Sequence, residues 1–361
     1  MRLLVFVTLL LSQSLAAQSD IFPGDRPQLV PLWHRLADYS PRLRAVEACA
    51  ISPDGRRAAS VSKFGYNVMV WRVADGHLLW EGRHESEVEC LAWSPDGHRL
   101  ATGGEDYFLR VWDAATGRPL AAIEQTEAGF DGLAWSPDGG TIAGGDEAGN
   151  VVFYAADSYA ETGRVKVGST VNSLEYTAAG DRLLVGGNIQ TPDPDGPGGK
   201  RYEGFAKILT TADNKVIAAT PVLPGSVKSV RWGMGETFFA TGGFDSTVRL
   251  YDPAARLVRS FPLEDKVEAV AFSPDGHYLI TGGHGLGVVW LRLADGEVAY
   301  RQASARTEYF HFSSDGRLLL TGHEDSGLLS CYLLLSDVQA RGNYQQVADK
   351  QLNNRDLKPK H

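Results

Sequence analysis

With 361 residues, 43% of them apolar and 22% charged, the chain has the balance of a globular protein with a sizeable core, which excludes disorder as its general state. A formal net charge of −9 excludes general phosphate-backbone binding, so no nucleic-acid partner is expected. Forty glycines against three methionines, with aromatics set inside alternating runs, point to many tight turns and an all-β chain.

The chain opens on MRLLVFVTLLLSQSLAAQSD, with Arg2 ahead of the apolar run Leu3 to Leu11 and small residues at Ala16 and Ala17. Residues 1–17 read as a secretory signal peptide. An uncleaved anchor is the rival reading, but the apolar run is shorter than the roughly 20 residues that span a bilayer. Gln18 and Ser19 follow the small residues, so no lipid-bearing cysteine stands there. The expected mature protein is exported, periplasmic or secreted, with no stable membrane insertion after cleavage. Residues 18–45 form an N-terminal segment in which Leu29 to Leu36 reads as a strand, and Gln28 to Leu36 is assigned to ring closure.

From residue 46 to residue 336 a single unit recurs. Its fullest copy is VECLAWSPDGHRLATGGEDYFLRVWD, Val88 to Asp113: an alternating strand, the turn Ser94-Pro95-Asp96-Gly97, and two further strands. Proline presets the turn dihedral, aspartate bonds nearby backbone, and glycine tolerates the exit conformation. First strands starting at Val46, Val88, Phe130, Val171, Val227, Val267 and Tyr309 lie 40–42 residues apart, save one interval of 56. SPDG recurs at Ser52, Ser94, Ser136 and Ser273 and persists as SSDG at Ser313; the fourth and fifth copies carry TAAG at Thr177 and GMGE at Gly233. Such a period belongs to units that are stable only when stacked on their neighbours. The long interval is assigned to Asn188–Gly204, whose prolines and glycines predict an irregular surface loop.

Through SPDG, the Gly103-Gly104 turn, Val111-Trp112-Asp113 and the near copy Leu250-Tyr251-Asp252, the repeat resembles the WD40 family over Val46 to Asp337. The resemblance implies a seven-bladed β-propeller of four-stranded antiparallel blades, here closed by the N-terminal strand, with residues 337–361 left as a polar C-terminal tail. It also implies a hydrogen-bonded network of His84, Thr102, Asp106 and Trp112 within one blade. Thr241, Asp245 and Tyr251 keep part of that set, Thr281 and Trp290 less, and no other copy has the His, so apolar packing is expected to hold the remaining blades.

By the same resemblance, the turns between second and third strands surround one mouth of the central channel. They offer Lys63, Phe64, Tyr66, Tyr107, Phe108, Phe244, His284, His323 and Glu324 as a candidate partner-binding face, with Asp146 and Glu147 in the third copy. Exposed aromatics beside charges suit a protein-binding surface, whereas packing between blades is the alternative for Phe64, Tyr66 and Phe108. The 56-residue interval adds a candidate flap with Asp193, Asp195, Lys200, Arg201 and Tyr202. Asp193 and Asp195 lack the donor series of a calcium loop, and His284 with His323 lacks a specified third zinc ligand, so no metal or other cofactor is expected. Cys49, Cys90 and Cys331 match no metal or redox spacing and read as buried thiols, a Cys49–Cys90 bridge being the alternative.

These features fit a non-enzymatic, monomeric recognition module that binds a protein or peptide through its disc face. A propeller hydrolase or lactonase needs convergent carboxylates and His, usually with a metal, and no such set stands out in the sequence. A small-molecule or glycan sensor is supported by the aromatic turns alone.

Overall fold

The structure is a computed structural model that describes residues 28–335 apart from 42, 126–127 and 303–305. The signal-peptide assignment and the C-terminal tail lie outside the described residues. Among those residues no helix is long and apolar enough to cross a membrane.

Seven antiparallel sheets follow one another along the chain. Blade 1 comprises Val46–Ile51, Arg57–Ser62, Asn67–Arg72 and His77–Arg83, paired in sequence order. Blades 2, 3, 5 and 6 repeat that order from the inner strands Val88–Trp93, Phe130–Trp135, Val227–Trp232 and Ala269–Phe272. In these blades third strands carry no more than an isolated exposed residue and are fully buried over most of Asn67–Arg72, while outer strands such as Pro119–Glu124 mix exposed and half-buried residues. The gradient follows from stacking: a middle strand is covered on both faces by neighbouring blades, and the outer strand meets water.

The last blade joins the two ends of the described chain. Its order places Gln28–Leu36 outside Leu328–Leu335, Leu318–His323 and Thr307–Phe312. Pairing runs from Gln28 opposite Leu335 to Leu36 opposite Leu328, so the expected closure by the N-terminal strand is present. The Trp33 indole then donates to Val73 O at 2.7 Å, tying this blade to blade 1. Trp80 makes the same kind of bond to Ala114 O at 3.0 Å, between blades 1 and 2. The inner strand of blade 7 begins at Thr307, two residues ahead of the expected Tyr309: the pair Thr307–His323 corresponds to Val88–Gly104 of blade 2.

The SPDG turns behave as their chemistry dictates. Ser94 Oγ donates to Asp96 Oδ1 at 2.5 Å and accepts from Arg99 N at 2.9 Å, while Gly97 takes φ +70°. In TAAG, Thr177 Oγ1 donates to Asp181 Oδ1 at 2.6 Å, so a threonine and a displaced aspartate rebuild the same bond.

The expected irregular loop at Asn188–Gly204 is instead an extension of blade 4. Strands Arg182–Pro192 and Lys200–Thr210 pair without interruption from Arg182 opposite Thr210 to Pro192 opposite Lys200. Most of the breakers sit in the tip, residues 193–199, where Asp193 N bonds Gly199 O at 3.0 Å, while Pro192 ends one strand and Gly204 pairs within the other. Leu223–Pro224 adds a short fifth strand to this sheet through Gly204.

Candidate functional site at the channel mouth

Inner-strand pairing skips one residue in six blades, between Val46 and Ala48, Val88 and Cys90, Phe130 and Gly132, Val171 and Ser173, Val227 and Ser229, and Thr307 and Tyr309. A bulge leaves its extra residue out of the ladder and re-aims the side chain. The skipped residues are Glu47, Glu89, Asp131, Asn172, Lys228 and Glu308. Glu268 holds the corresponding place in blade 6, just ahead of Ala269–Phe272. Sevenfold repetition thus sets five carboxylates, one amide and one ammonium around the axis. Below them lies a channel cavity of about 590 Å³, lined by Glu89, Asp131, Asn172, Lys228 and Glu268 and reaching Pro53 and Pro137 of the SPDG turns.

Crowded, partly dehydrated carboxylates hold their protons. Burial lifts Glu89 to about 8, and the neighbouring Glu47 adds to the rise. Asp131 is lifted by burial to about 7, with Lys228 opposing the shift. Glu105, in the turn above Asp131, rises to about 7 through burial and Glu147. Glu308 rises to about 9 through burial and a hydrogen bond shared with Glu324. Burial pulls Lys228 down, but Glu268, Asp131, Glu89 and Glu47 together raise it, so the ammonium stays charged. Lys63 bridges the rim, with Nζ at 3.7 Å from Glu47, 3.3 Å from Glu87 and 3.6 Å from Glu89.

Several residues of the expected face gather at this mouth, on differing terms. Tyr107 is 47% exposed and Phe244 is exposed beside Lys266, whose Nζ stands 4.7 Å from the ring centroid. Phe64 and Tyr66 are half-buried, and Phe108 lies under the Arg110 guanidinium at 4.9 Å. His284 Nε2 is 2.8 Å from Glu268 Oε1, and Glu324 accepts from Arg306 at 2.9 Å. Two residues of these turns are not surface groups. His323 ends the second strand of blade 7 and is buried between Thr307 Oγ1 and Thr321 Oγ1, each 3.1 Å away. Asp146, at the equivalent strand end of blade 3, is buried as well. On the hairpin, Tyr202, Lys200, Arg201 and Asp195 are exposed and Asp193 is half-buried.

In blade 2, Trp112 Nε1 donates to Thr102 Oγ1 at 2.8 Å, that hydroxyl lies 2.8 Å from His84 Nε2, and His84 Nδ1 lies 3.0 Å from Asp106 Oδ1. Asp106 also accepts from Glu85 N and Phe108 N, each at 3.1 Å, and from Arg110. Apolar packing is not alone in the other blades. Gln125 Nε2 donates to Asp146 Oδ2 at 2.8 Å and Tyr154 OH to Gln125 Oε1 at 3.2 Å, a glutamine version in blade 3. In blade 1, Asp38 accepts from Ala45 N at 3.0 Å and Trp71 Nε1 donates to Ser60 Oγ at 3.0 Å. Cys49, Cys90 and Cys331 are buried free thiols.

The acidic ring is not evident in the sequence, although a carboxylate holds the second position of four of the seven aligned first strands, and Glu308 stands just ahead of the seventh. Each member is unremarked within its own copy; only closure brings residues some forty positions apart to a common axis.

The WD40 description "WD domain, G-beta repeat" matches residues 77–113, 219–252 and 256–290. Telomerase protein component 1 of Rattus norvegicus is 23% identical over 302 residues, 82% of this chain and 9% of the relative. Its counterpart in Mus musculus is 24% identical over 256 residues, 70% of this chain and 8% of the relative. Protein groucho of Drosophila melanogaster is 36% identical over 106 residues, 27% of this chain and 14% of the relative. The chain therefore spans a small part of the length of each of these relatives. Three segments of the chain match WD40 repeats, and sheet order and ring closure show that the described residues fold as a seven-bladed β-propeller.

Proposed function

We propose that the chain is a non-enzymatic interaction scaffold that takes a protein or peptide at the channel mouth, with a basic side chain of the partner directed at the acidic ring. The carrying observation is the convergence of Glu47, Glu89, Asp131, Glu268 and Glu308 beneath the exposed rings of Tyr107 and Phe244. Carboxylates whose affinity for protons is raised by burial and mutual repulsion are relieved by an incoming cation, and aromatic groups at the rim supply contact area at low entropic cost. The WD40 repeat matches, and the match to a small part of a long telomerase protein component, support a binding role. Export belongs to the proposal and rests on the sequence of residues 1–17. The test is affinity purification from the source cells with the wild type and a Glu89→Lys, Asp131→Lys double variant. A partner retained by the wild type and lost by the folded variant supports the reading, and a partner held equally by both sinks it.

A further inference from the structure

We propose that Glu268, His284 and Glu308 form a zinc site at the channel mouth, in which two carboxylates of the acidic ring serve as metal ligands. One donor atom from each of the three residues lies within 4.8 Å of the others. His284 Nε2 is 2.8 Å from Glu268 Oε1 and 3.8 Å from Glu308 Oε1. Donors around a tetrahedral zinc, at about 2.0–2.2 Å from the metal, stand about 3.3 Å apart, so the two observed distances bracket the required one. One imidazole with two carboxylates is a donor set suited to zinc, whereas magnesium and calcium favour oxygen alone.

A second observation points into the same space. Glu308 is 5% exposed, and its Oε1 is inaccessible to solvent and has no hydrogen-bond partner among the described residues. A buried oxygen without a donor is costly, and this one faces the imidazole nitrogen that is also the candidate ligand. Glu324 stands next to the Glu308 carboxyl and is itself held by Arg306 at 2.9 Å. Outer partners of this kind orient a metal-binding carboxylate. The three ligands come from three short pieces of backbone next to paired strands: Glu268 just ahead of Ala269–Phe272, its N bonded to Gly282 O at 3.0 Å, His284 in the turn after Tyr278–Gly283, and Glu308 at the bulge of Thr307–Phe312.

The test is calorimetric titration of tag-free, chelator-treated protein with zinc chloride, checked by elemental analysis after dialysis. One zinc per chain is expected, with binding weakened about tenfold or more by His284→Ala and by the isosteric Glu308→Gln. Glu147→Gln, in the separate Glu105, Asp131 and Glu147 cluster, leaves the titration unchanged. Melting curves for Glu308→Gln no lower than those of the wild type exclude a folding defect as the cause. Absence of saturable uptake, equal binding by His284→Ala, or equal uptake of magnesium chloride overturns the proposal.

Discussion

The Trp112 indole and the Thr102 hydroxyl are joined by a 2.8 Å hydrogen bond that places the third strand of blade 2 against its second. From that hydroxyl the chain of bonds continues through His84 to Asp106, which also receives two backbone amides. Removing the carboxylate strands several buried donors at once. Asp106→Ala is expected to lower unfolding free energy by about 1–3 kcal/mol. Denaturant unfolding checks this, and an unchanged midpoint removes the network from the account.

Ring closure depends on Trp33, which is buried against blade 1 and donates to Val73 O. Trp33→Ala deletes a large core side chain and orphans that carbonyl, for an expected cost of about 3–5 kcal/mol. Thermal melting measures it. Deleting Asn353–His361 is expected to leave the same melting curve in place, and equal damage from the two changes contradicts closure by the N-terminal strand.

How much of this was legible in the sequence depended on whether one copy or the closed ring carried the information. Trp112, Thr102 and the SPDG turns are local signals that recur, so the blade and its count could be read directly. The blade 4 insertion reads as a loop because Pro192, Pro194, Gly196 and Pro197 weigh on the whole stretch, although they cluster in or beside the tip and the flanks continue the ladder. His323 was placed in a turn because turn lengths differ by a residue between copies; its pairing with Thr307 puts it on a strand and buries it. The acidic ring is a product of topology, since Glu47 and Glu308 lie at opposite ends of the repeat array.

The mouth also predicts a pH dependence. Folding raises Glu89 to about 8 and Glu308 to about 9 from an ordinary value of 4.5, chiefly through burial. The folded chain holds these protons more tightly than the unfolded chain does. Their stabilisation is full below the ordinary value and is lost as pH rises toward the folded values. His311 works in the opposite sense: burial and Arg231 lower it to about 4, so its contribution is present above the ordinary 6.5 and lost on acidification. Stability should therefore fall between about pH 5 and pH 9, and Glu89→Gln should gain about 1–3 kcal/mol over the wild type at the alkaline end. Urea unfolding across that range gives the answer; parallel profiles for the two proteins would count against the buried ring.

Tyr107 holds φ +65° where the corresponding turn of blade 3 uses Gly149 at φ +77°. A bulky residue in the left-handed region is strained by about 1–2 kcal/mol, and strain of that kind gathers at functional positions. Tyr107→Gly is expected to leave stability unchanged or raise it by up to about 1 kcal/mol, because glycine's backbone entropy offsets part of the relief. Partner retention should fall all the same. A melting temperature lowered by several degrees would show instead that the ring is a packing element.

The most direct measurement is site-specific photo-crosslinking in the source cells, with the reactive group placed in turn at Tyr107, Phe244, Pro53 and Pro95. The first two positions rim the acidic mouth, and the last two lie on SPDG turns at the other end of the inner strands. One protein is expected to be captured from Tyr107 and Phe244, with capture abolished by Glu89→Lys with Asp131→Lys and none of it from Pro53 and Pro95. Capture from Pro53 and Pro95 alone contradicts the claim that the channel mouth is the binding surface.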